Sequence, residues 1–143
     1  MTLELTFPVR RRDFKAAGDA VSELKRVLQE VGFPPGLIRR VTIAAFEAEM
    51  NIVIHAYRGL LRIRVEPGQV VLLAEDEGPG IPDVALAMQE GYSTAPPEIR
   101  EMGFGAGMGL PNIRRSADQL EIRTEVGRGT FLRAGFVYPD QRN

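Results

Sequence analysis

Two pairs of strand-like segments, each joined by a glycine turn, most constrain the fold of this chain. Their apolar residues alternate with polar ones or form one short apolar run, as in half-buried and central strands. The first pair is 61–65 and 70–76 around Gly68, and the second is 120–126 and 130–137 around Gly127-Arg128-Gly129. Strands joined by so few residues pair antiparallel, because a parallel connection needs a long crossover.

The remaining segments predict one more strand and several helices. The odd-numbered residues from Leu3 to Val9 are apolar and alternate with mostly polar neighbours, and Pro8 indicates an edge strand. The predicted helices run from the cap Asp13 to Val31, from about Gly36 to Ala56, over 83–90 and over 110–119, with a long loop over 91–109. These elements predict a single domain over residues 1–143. Its expected fold is an α+β two-layer sandwich with a mixed, largely antiparallel sheet and helices on one face.

Composition excludes several classes of function. The chain has no cysteine, which removes disulfides and thiolate chemistry, and its single histidine argues against a structural zinc site. A net charge of −1 gives no electrostatic reason to bind nucleic acid or an anionic membrane surface. No apolar run approaches the length of a membrane span, and the N-terminus lacks a signal-peptide pattern. We therefore expect a cytoplasmic protein without nucleic-acid or membrane partners.

One face of the second predicted helix carries Glu47, Asn51 and His55 at intervals of four residues. The Asn51 carboxamide oxygen suits Mg²⁺, which prefers oxygen ligands. Glu47 could accept the proton of an attacking hydroxyl. His55 is expected to support the site from behind. The alternative is an ordinary solvated helix face.

Two glycine-rich segments complete the candidate site. Asp76 ends a predicted strand before Gly78-Pro79-Gly80, where its carboxylate could accept a hydrogen bond from an exocyclic amine such as that of adenine. The alternative is a plain turn.

Glycines also alternate from 103 to 109 just before a helix, where free backbone amides can bind an anion. This segment lacks the P-loop pattern and the setting of a dinucleotide fingerprint. Ser93, Thr94 and Arg100 flank it.

Together these motifs resemble the GHKL, or Bergerat-fold, ATPases. Glu47 to Asn51 resembles the N box, Asp76 to Gly80 the G1 box, and Gly103 to Leu110 the G2 box, while Gly129-Thr130 resembles the final threonine position. Within that superfamily the chain is most similar to the anti-sigma factor serine kinases of bacterial partner-switching modules, the RsbW, RsbT and SpoIIAB types. The segment from Ala74 to Asp83 is especially similar to the RsbT type.

The resemblance implies a role for each matching residue. Glu47 would be the catalytic general base, Asn51 the Mg²⁺ ligand and Asp76 the adenine contact. The implied contacts of bound ATP are Asn51, Asp76, Gly78, Gly80, Ile81, Gly105, Gly107, Met108, Gly109, Leu110 and Thr130. Residues 91–109, the lid segment, would close over the phosphates. The insert from Ala95 to Phe104 prevents Arg100 from being equated with a lid arginine of the family.

The resemblance also implies partners. It indicates an ATP-dependent serine/threonine kinase that phosphorylates a small STAS-domain antagonist of an anti-sigma factor and binds a sigma factor or phosphatase, and it is compatible with a homodimer. Arg39, Arg40 and the lid around Arg100 are the expected partner surface. One alternative is an ATP-binding regulatory module with little kinase activity. Another, a detached histidine-kinase ATPase domain, is disfavoured because His55, the only histidine, lies in the proposed pocket.

Overall fold

The computed structural model describes residues 2–101 and 108–138, with the side chain of Arg100 left undescribed. Five strands and five helices occupy these residues. In chain order they are β1 (Leu3–Arg10), α1 (Asp19–Val31), α2 (Pro35–His55), β2 (Arg58–Glu66), β3 (Gln69–Glu77), α3 (Val84–Ala87), α4 (Pro97–Glu101), α5 (Gly109–Ser116), β4 (Gln119–Glu125) and β5 (Gly129–Val137).

The strands form one sheet in the order β1-β2-β3-β5-β4. Each of these neighbouring pairs is antiparallel, and the two predicted hairpins are β2–β3 and β4–β5. The apolar strand β3 is central, as its sequence predicts. Pro8 lies in β1 at one edge of the sheet. An edge strand pairs on one side only, so it tolerates a proline, which has no N–H to donate.

The helices pack on one face of the sheet, which confirms the predicted two-layer fold. In β2 and β3, the apolar residues facing the helices are buried, with Ile63 opposite Leu72 in the register. The largest fully buried side chains are Phe136, Leu24, Leu28, Leu37, Ile52, Leu61, Ile63, Leu72, Ile113, Val41, Val53 and Val70. The opposite, open face carries ion pairs such as Arg62 with Glu75, 3.3 Å apart. No helix in the described part of the chain is long and apolar enough to cross a lipid bilayer.

The first helix begins later than the sequence predicts. α1 starts at Asp19 after Gly18, whose φ of 97° places it in the left-handed region. Asp13 caps no helix; its Oδ1 instead accepts a hydrogen bond from the Ala16 N–H, 3.2 Å away, in a turn. Phe14 and Ala17 extend the apolar stripe of α1 in sequence but lie before the helix; both pack against a second cluster, and Phe14 also packs against the main core. The apolar stripe in the sequence therefore combines residues of the turn before α1 with residues of the helix itself.

The lid segment contains a short helix, so the predicted uninterrupted loop is wrong over residues 97–101. α4 lies against α2 through a small cluster that we call the second core. Its buried members are Met50, Ile54, Ala95 and Ile99, with Phe14, Ala17 and Phe46 partly buried against them. Ala95 is 4% exposed and Ile99 is 3% exposed, so the first half of the lid segment is docked on the protein.

Candidate functional site

A cavity of about 780 Å³ opens between α2, the turn after β3 and the start of α5. This volume is typical of small-molecule sites. Most of the residues predicted from sequence line it, namely Glu47, Asn51, Asp76, Gly80, Ile81, Met108, Gly109, Leu110 and Thr130. Gly105 and Gly107 lie outside the described residues. The structure thus brings the three separate motifs to one cavity.

The α2 side of the cavity meets the first turn of α5. An added Cβ at Gly109, the first residue of α5, would lie 3.2 Å from Asn51 Oδ1. Glu47 lies one turn before Asn51, and its Oε2 accepts a hydrogen bond from Asn112 Nδ2 at 2.6 Å. The N-terminal end of a helix, with its unpaired amides, therefore faces the carboxamide proposed for the metal. This arrangement suits a phosphate with a bound cation.

Asp76 is fixed at the end of β3 by the neighbouring strand. Its Oδ1 accepts a hydrogen bond from the Thr130 N–H at 3.2 Å. Burial raises the pKa of the Asp76 carboxyl, and this hydrogen bond partly offsets the effect. One carboxylate oxygen is thus held by the backbone of β5. The fixed carboxylate can select a ligand group that donates a hydrogen bond.

Thr124 supports this site from the β4–β5 hairpin, and the sequence reasoning missed it. Its Oγ1 accepts a hydrogen bond from the Ile81 N–H at 2.8 Å and lies 3.1 Å from Thr130 Oγ1. Thr124 therefore ties the turn after β3 to the β4–β5 hairpin, next to the Asp76 contact. Its only sequence signal is a polar residue on the half-buried side of a strand.

Two glycines of the turn after β3 act through the backbone. Gly80 has a φ of 75°, and an added Cβ would lie 2.5 Å from the Glu125 carbonyl oxygen. Gly78 does not line the cavity; its N–H donates to the Arg128 carbonyl at 2.9 Å. The turn can therefore pack against the β4–β5 hairpin only if position 80 lacks a side chain, whereas Gly78 contributes a backbone hydrogen bond to the same hairpin.

The flanking residues have mixed placements. His55, Ser93 and Thr94 line the cavity. Burial lowers the pKa of His55, and the nearby positive charge of Arg12 lowers it further, which favours the neutral imidazole. The side chain of Arg100 lies outside the described part of the structure. His55 is therefore available as a neutral hydrogen-bonding group at the wall of the cavity.

Arg40 does not belong to an exposed partner surface, contrary to the sequence-based expectation. Its side chain is only 16% exposed and pairs with Asp118, with Nη1 3.2 Å from Oδ2. The same Nη1 lies 3.3 Å from the Ser116 carbonyl oxygen. Arg40 thus holds α2 to the junction of α5 and β4, whereas Arg39 is exposed.

The donor set at the cavity suits a magnesium ion carried by a phosphate ligand. Within residues 2–101 and 108–138, no three histidine or acidic side chains cluster in a way that could hold a metal by themselves. Asn51 supplies a neutral oxygen at the wall of the cavity. Mg²⁺ commonly takes few protein ligands and completes its shell with water and phosphate oxygens. Asn51 together with a polyphosphate therefore meets this requirement.

The comparison with protein families agrees with this geometry. Residues 12–136 match the family described as the histidine kinase-like ATPase domain. The chain belongs to this family. Its similarity to the Serine/threonine-protein kinase RsbT of Bacillus subtilis is 33% identity over 114 residues, covering 77% of this chain and 80% of that protein. The Anti-sigma F factor of Caldanaerobacter subterraneus is 36% identical over 101 residues, covering 67% of each chain.

Solved structures share the fold of this ATPase family member. The SiaB–SiaC complex from Pseudomonas aeruginosa matches with a TM-score of 0.65 and 18% identity, covering 92% of this chain and 88% of that one. The RsbU and RsbW domains of Rv1364c from Mycobacterium tuberculosis match with a TM-score of 0.63 and 16% identity. The latter match covers 94% of this chain but 32% of that one. The resemblance inferred from the sequence motifs is confirmed at the level of the family and the fold.

Proposed function

We propose that the chain is a MgATP-dependent serine/threonine protein kinase of a bacterial partner-switching module, located in the cytoplasm. It phosphorylates a small STAS-domain antagonist and also binds a sigma factor or phosphatase. The observation that carries this proposal is the meeting of Glu47 and Asn51 with Asp76 at one cavity. The similarity to RsbT over 80% of that kinase gives independent support.

The cavity suggests how ATP is oriented. Asp76 accepts a hydrogen bond from the exocyclic amine of adenine, because its carboxylate is held by Thr130 and a carbonyl at that ring position would be repelled. Gly80 lets the backbone approach the ring. The polyphosphate then extends towards Gly109 and the amides at the start of α5. Asn51 lies beside this end of the cavity.

Glu47 is the proposed proton acceptor in the transfer step. The hydroxyl oxygen of a partner serine or threonine bonds to the γ-phosphorus while the bond from that phosphorus to the bridging oxygen of ADP breaks. The hydroxyl proton passes to the Glu47 carboxylate. A magnesium ion held by Asn51 and the phosphates would neutralise charge on the transferred group. The protein therefore contributes mainly position and charge.

Mass spectrometry can test the kinase proposal directly. The chain is incubated with MgATP and the STAS-domain protein encoded nearest to its gene, and phosphorylated residues are mapped. We expect phosphoserine or phosphothreonine on that partner. Glu47→Ala should keep nucleotide binding and slow transfer by roughly 10²–10⁴-fold. The control is Glu121→Ala, which changes an exposed residue of β4 on the open sheet face and should leave the rate unchanged.

Three results would change or refute this assignment. If Glu47→Ala lost ATP binding but kept the transfer rate of the bound enzyme, the role given to Glu47 would be wrong. A stable complex with the partner but no phosphate would favour a binding module with little kinase activity. The 36% identity to an Anti-sigma F factor is the observation that supports this second candidate. No complex and no phosphate with any encoded neighbour would refute the partner-switching proposal.

A further inference from the structure

A chain of polar contacts connects Glu47 to the start of the lid segment. Asn112 Nδ2 donates to Glu47 Oε2 at 2.6 Å, and Asn112 Oδ1 accepts from Arg115 Nη2 at 2.6 Å. Arg115 also pairs through Nη1 with Glu90, which directly precedes Gly91. Neither the motifs nor the proposed ATP contacts include Asn112. It is nevertheless the side chain that hydrogen-bonds to the proposed base.

The two partners of Asn112 fix the orientation of its carboxamide. A carboxylate can only accept hydrogen bonds, whereas a guanidinium can only donate them. The Asn112 NH₂ group must therefore face Glu47, and its oxygen must face Arg115. Asn112 and Arg115 lie three residues apart on α5, so they share one helix face. A flipped carboxamide would leave both contacts unfavourable.

We propose that Asn112 is a positioning residue for phosphoryl transfer, holding the Glu47 carboxylate in the rotamer from which its second oxygen takes the substrate proton. This inference rests on the proposed kinase function. The contact occupies one oxygen of Glu47 and leaves the other for the hydroxyl. Because a small misplacement of a base can cost about 10²-fold in rate, one directed hydrogen bond can have a large catalytic effect.

The position of Asn112 separates its effect on catalysis from any effect on nucleotide binding. Glu47 lines the cavity, whereas Asn112 lies behind it and is not among the lining residues. Loss of the hydrogen bond should therefore change the transfer rate without changing ATP affinity. A purely structural link between α2 and α5 would instead affect stability and ATP affinity together, because α5 begins with residues that line the cavity.

The outer contacts of the chain are expected to contribute less. The Arg115 and Glu90 side chains are 52% and 62% exposed, so water screens their attraction. Arg115 still restrains Asn112, because it binds the carboxamide oxygen. The expected loss of rate is therefore largest for Asn112, smaller for Arg115 and smallest for Glu90.

Steady-state kinetics of phosphoryl transfer can test this order when Asn112 variants are compared with Arg115→Ala and Glu90→Ala. We expect Asn112→Leu to lower kcat by about 10- to 100-fold with an unchanged KM for ATP. Asn112→Asp keeps the shape and the Arg115 contact but places a carboxylate against Glu47, and it should lose at least as much. The matched control is Arg114→Ala, an exposed neighbour on the same turn as Arg115, which should leave kcat unchanged.

A double-mutant cycle shows whether Asn112 acts through Glu47. In Glu47→Gln the base is already lost, so adding Asn112→Leu should cause no further loss of kcat. Independent losses that multiply would contradict the proposal.

In solution, the side-chain NH₂ signals of Asn112 should shift between the wild type and Glu47→Gln in ¹H–¹⁵N spectra. Unchanged signals would show that the hydrogen bond is absent.

The outcomes distinguish this inference from the proposed function. A wild-type protein that transfers phosphate, with an unchanged kcat in both folded Asn112 variants, would overturn the inference and leave the kinase proposal intact. A wild-type protein that transfers no phosphate would overturn both. If Asn112→Leu does not fold, Asn112→Asp and the NMR comparison still decide the question.

Discussion

Replacing Ile99 by alanine tests how the lid segment is held on the protein. Ile99 is 3% exposed, and α4 is five residues long. A helix of this length is not stable by itself in water. The substitution removes three carbon atoms from the second core, which costs about 2.4 kcal/mol at about 0.8 kcal/mol per carbon. We expect α4 to open locally while the main core stays folded.

Hydrogen exchange and urea unfolding measure the two parts of this prediction. A loss of about 2.4 kcal/mol corresponds to roughly 50-fold faster exchange of the α4 amides. The global free energy of unfolding should change little. The control is Ile113→Ala, fully buried in the main core, which should lower the global free energy of unfolding by about 2–5 kcal/mol.

Two results would refute the reasoning about Ile99. If Ile99→Ala lowered the global free energy of unfolding as much as Ile113→Ala, α4 would belong to the main cooperative unit. If exchange in α4 did not change, the contacts of Ile99 with α2 would not hold the segment. The first outcome would show that α4 unfolds together with the main core. The second would show that the second core does not hold α4 in place.

Three further predictions concern other parts of the site and its surroundings. Burial raises the pKa of Glu49, so the folded state binds its proton more readily than the unfolded state and wild-type stability falls as pH rises through that pKa. Glu49→Gln, which keeps an acceptor for the Gly18 N–H, should be more stable than the wild type near neutral pH in urea unfolding, and the difference should shrink in acid. Gly80→Ala should weaken ATP binding in calorimetry, because its Cβ would lie 2.5 Å from the Glu125 carbonyl oxygen; unchanged affinity would contradict the packing of this turn. Asp76→Asn should weaken ATP binding by roughly 1–3 kcal/mol, and equal affinity of the wild type for ATP and GTP would argue against Asp76 as an adenine contact.

The fold could be predicted well wherever local periodicity and tertiary packing agree. Alternation identified β1, β2 and β4, a short apolar run identified β3, and the glycine turn at 127–129 indicated β5; Pro8 correctly placed β1 at an edge. The start of α1 could not be predicted, because Phe14 and Ala17 continue its apolar spacing although they precede the helix and pack against the second core, Phe14 against the main core as well. α4 was missed because its order depends on contacts with Met50 and Ile54, about fifty residues earlier, more than on its own helix propensity.

The site was predictable as a set of motifs, and the structure brings most of its described members to one cavity. The roles assigned to those residues stay predictions. The Asn112–Glu47 hydrogen bond joins residues 65 positions apart, so no local sequence pattern predicts it. Thr124 was missed for a related reason. A threonine is common in strands, and its role follows only from the hydrogen bond that its hydroxyl accepts from the Ile81 N–H.

The place of β1 in the sheet has a consequence for folding kinetics. The β2–β3 and β4–β5 hairpins are local in sequence, whereas β1 pairs only with β2, across roughly fifty to sixty residues. We expect β1 to dock after the two hairpins have formed, although it is synthesised before the other four strands. The Arg12 N–H, just after β1, donates to the Val53 carbonyl at 2.8 Å, and Phe14 follows into the second core. The support beneath α4 is therefore completed only when the N-terminal strand closes onto the sheet.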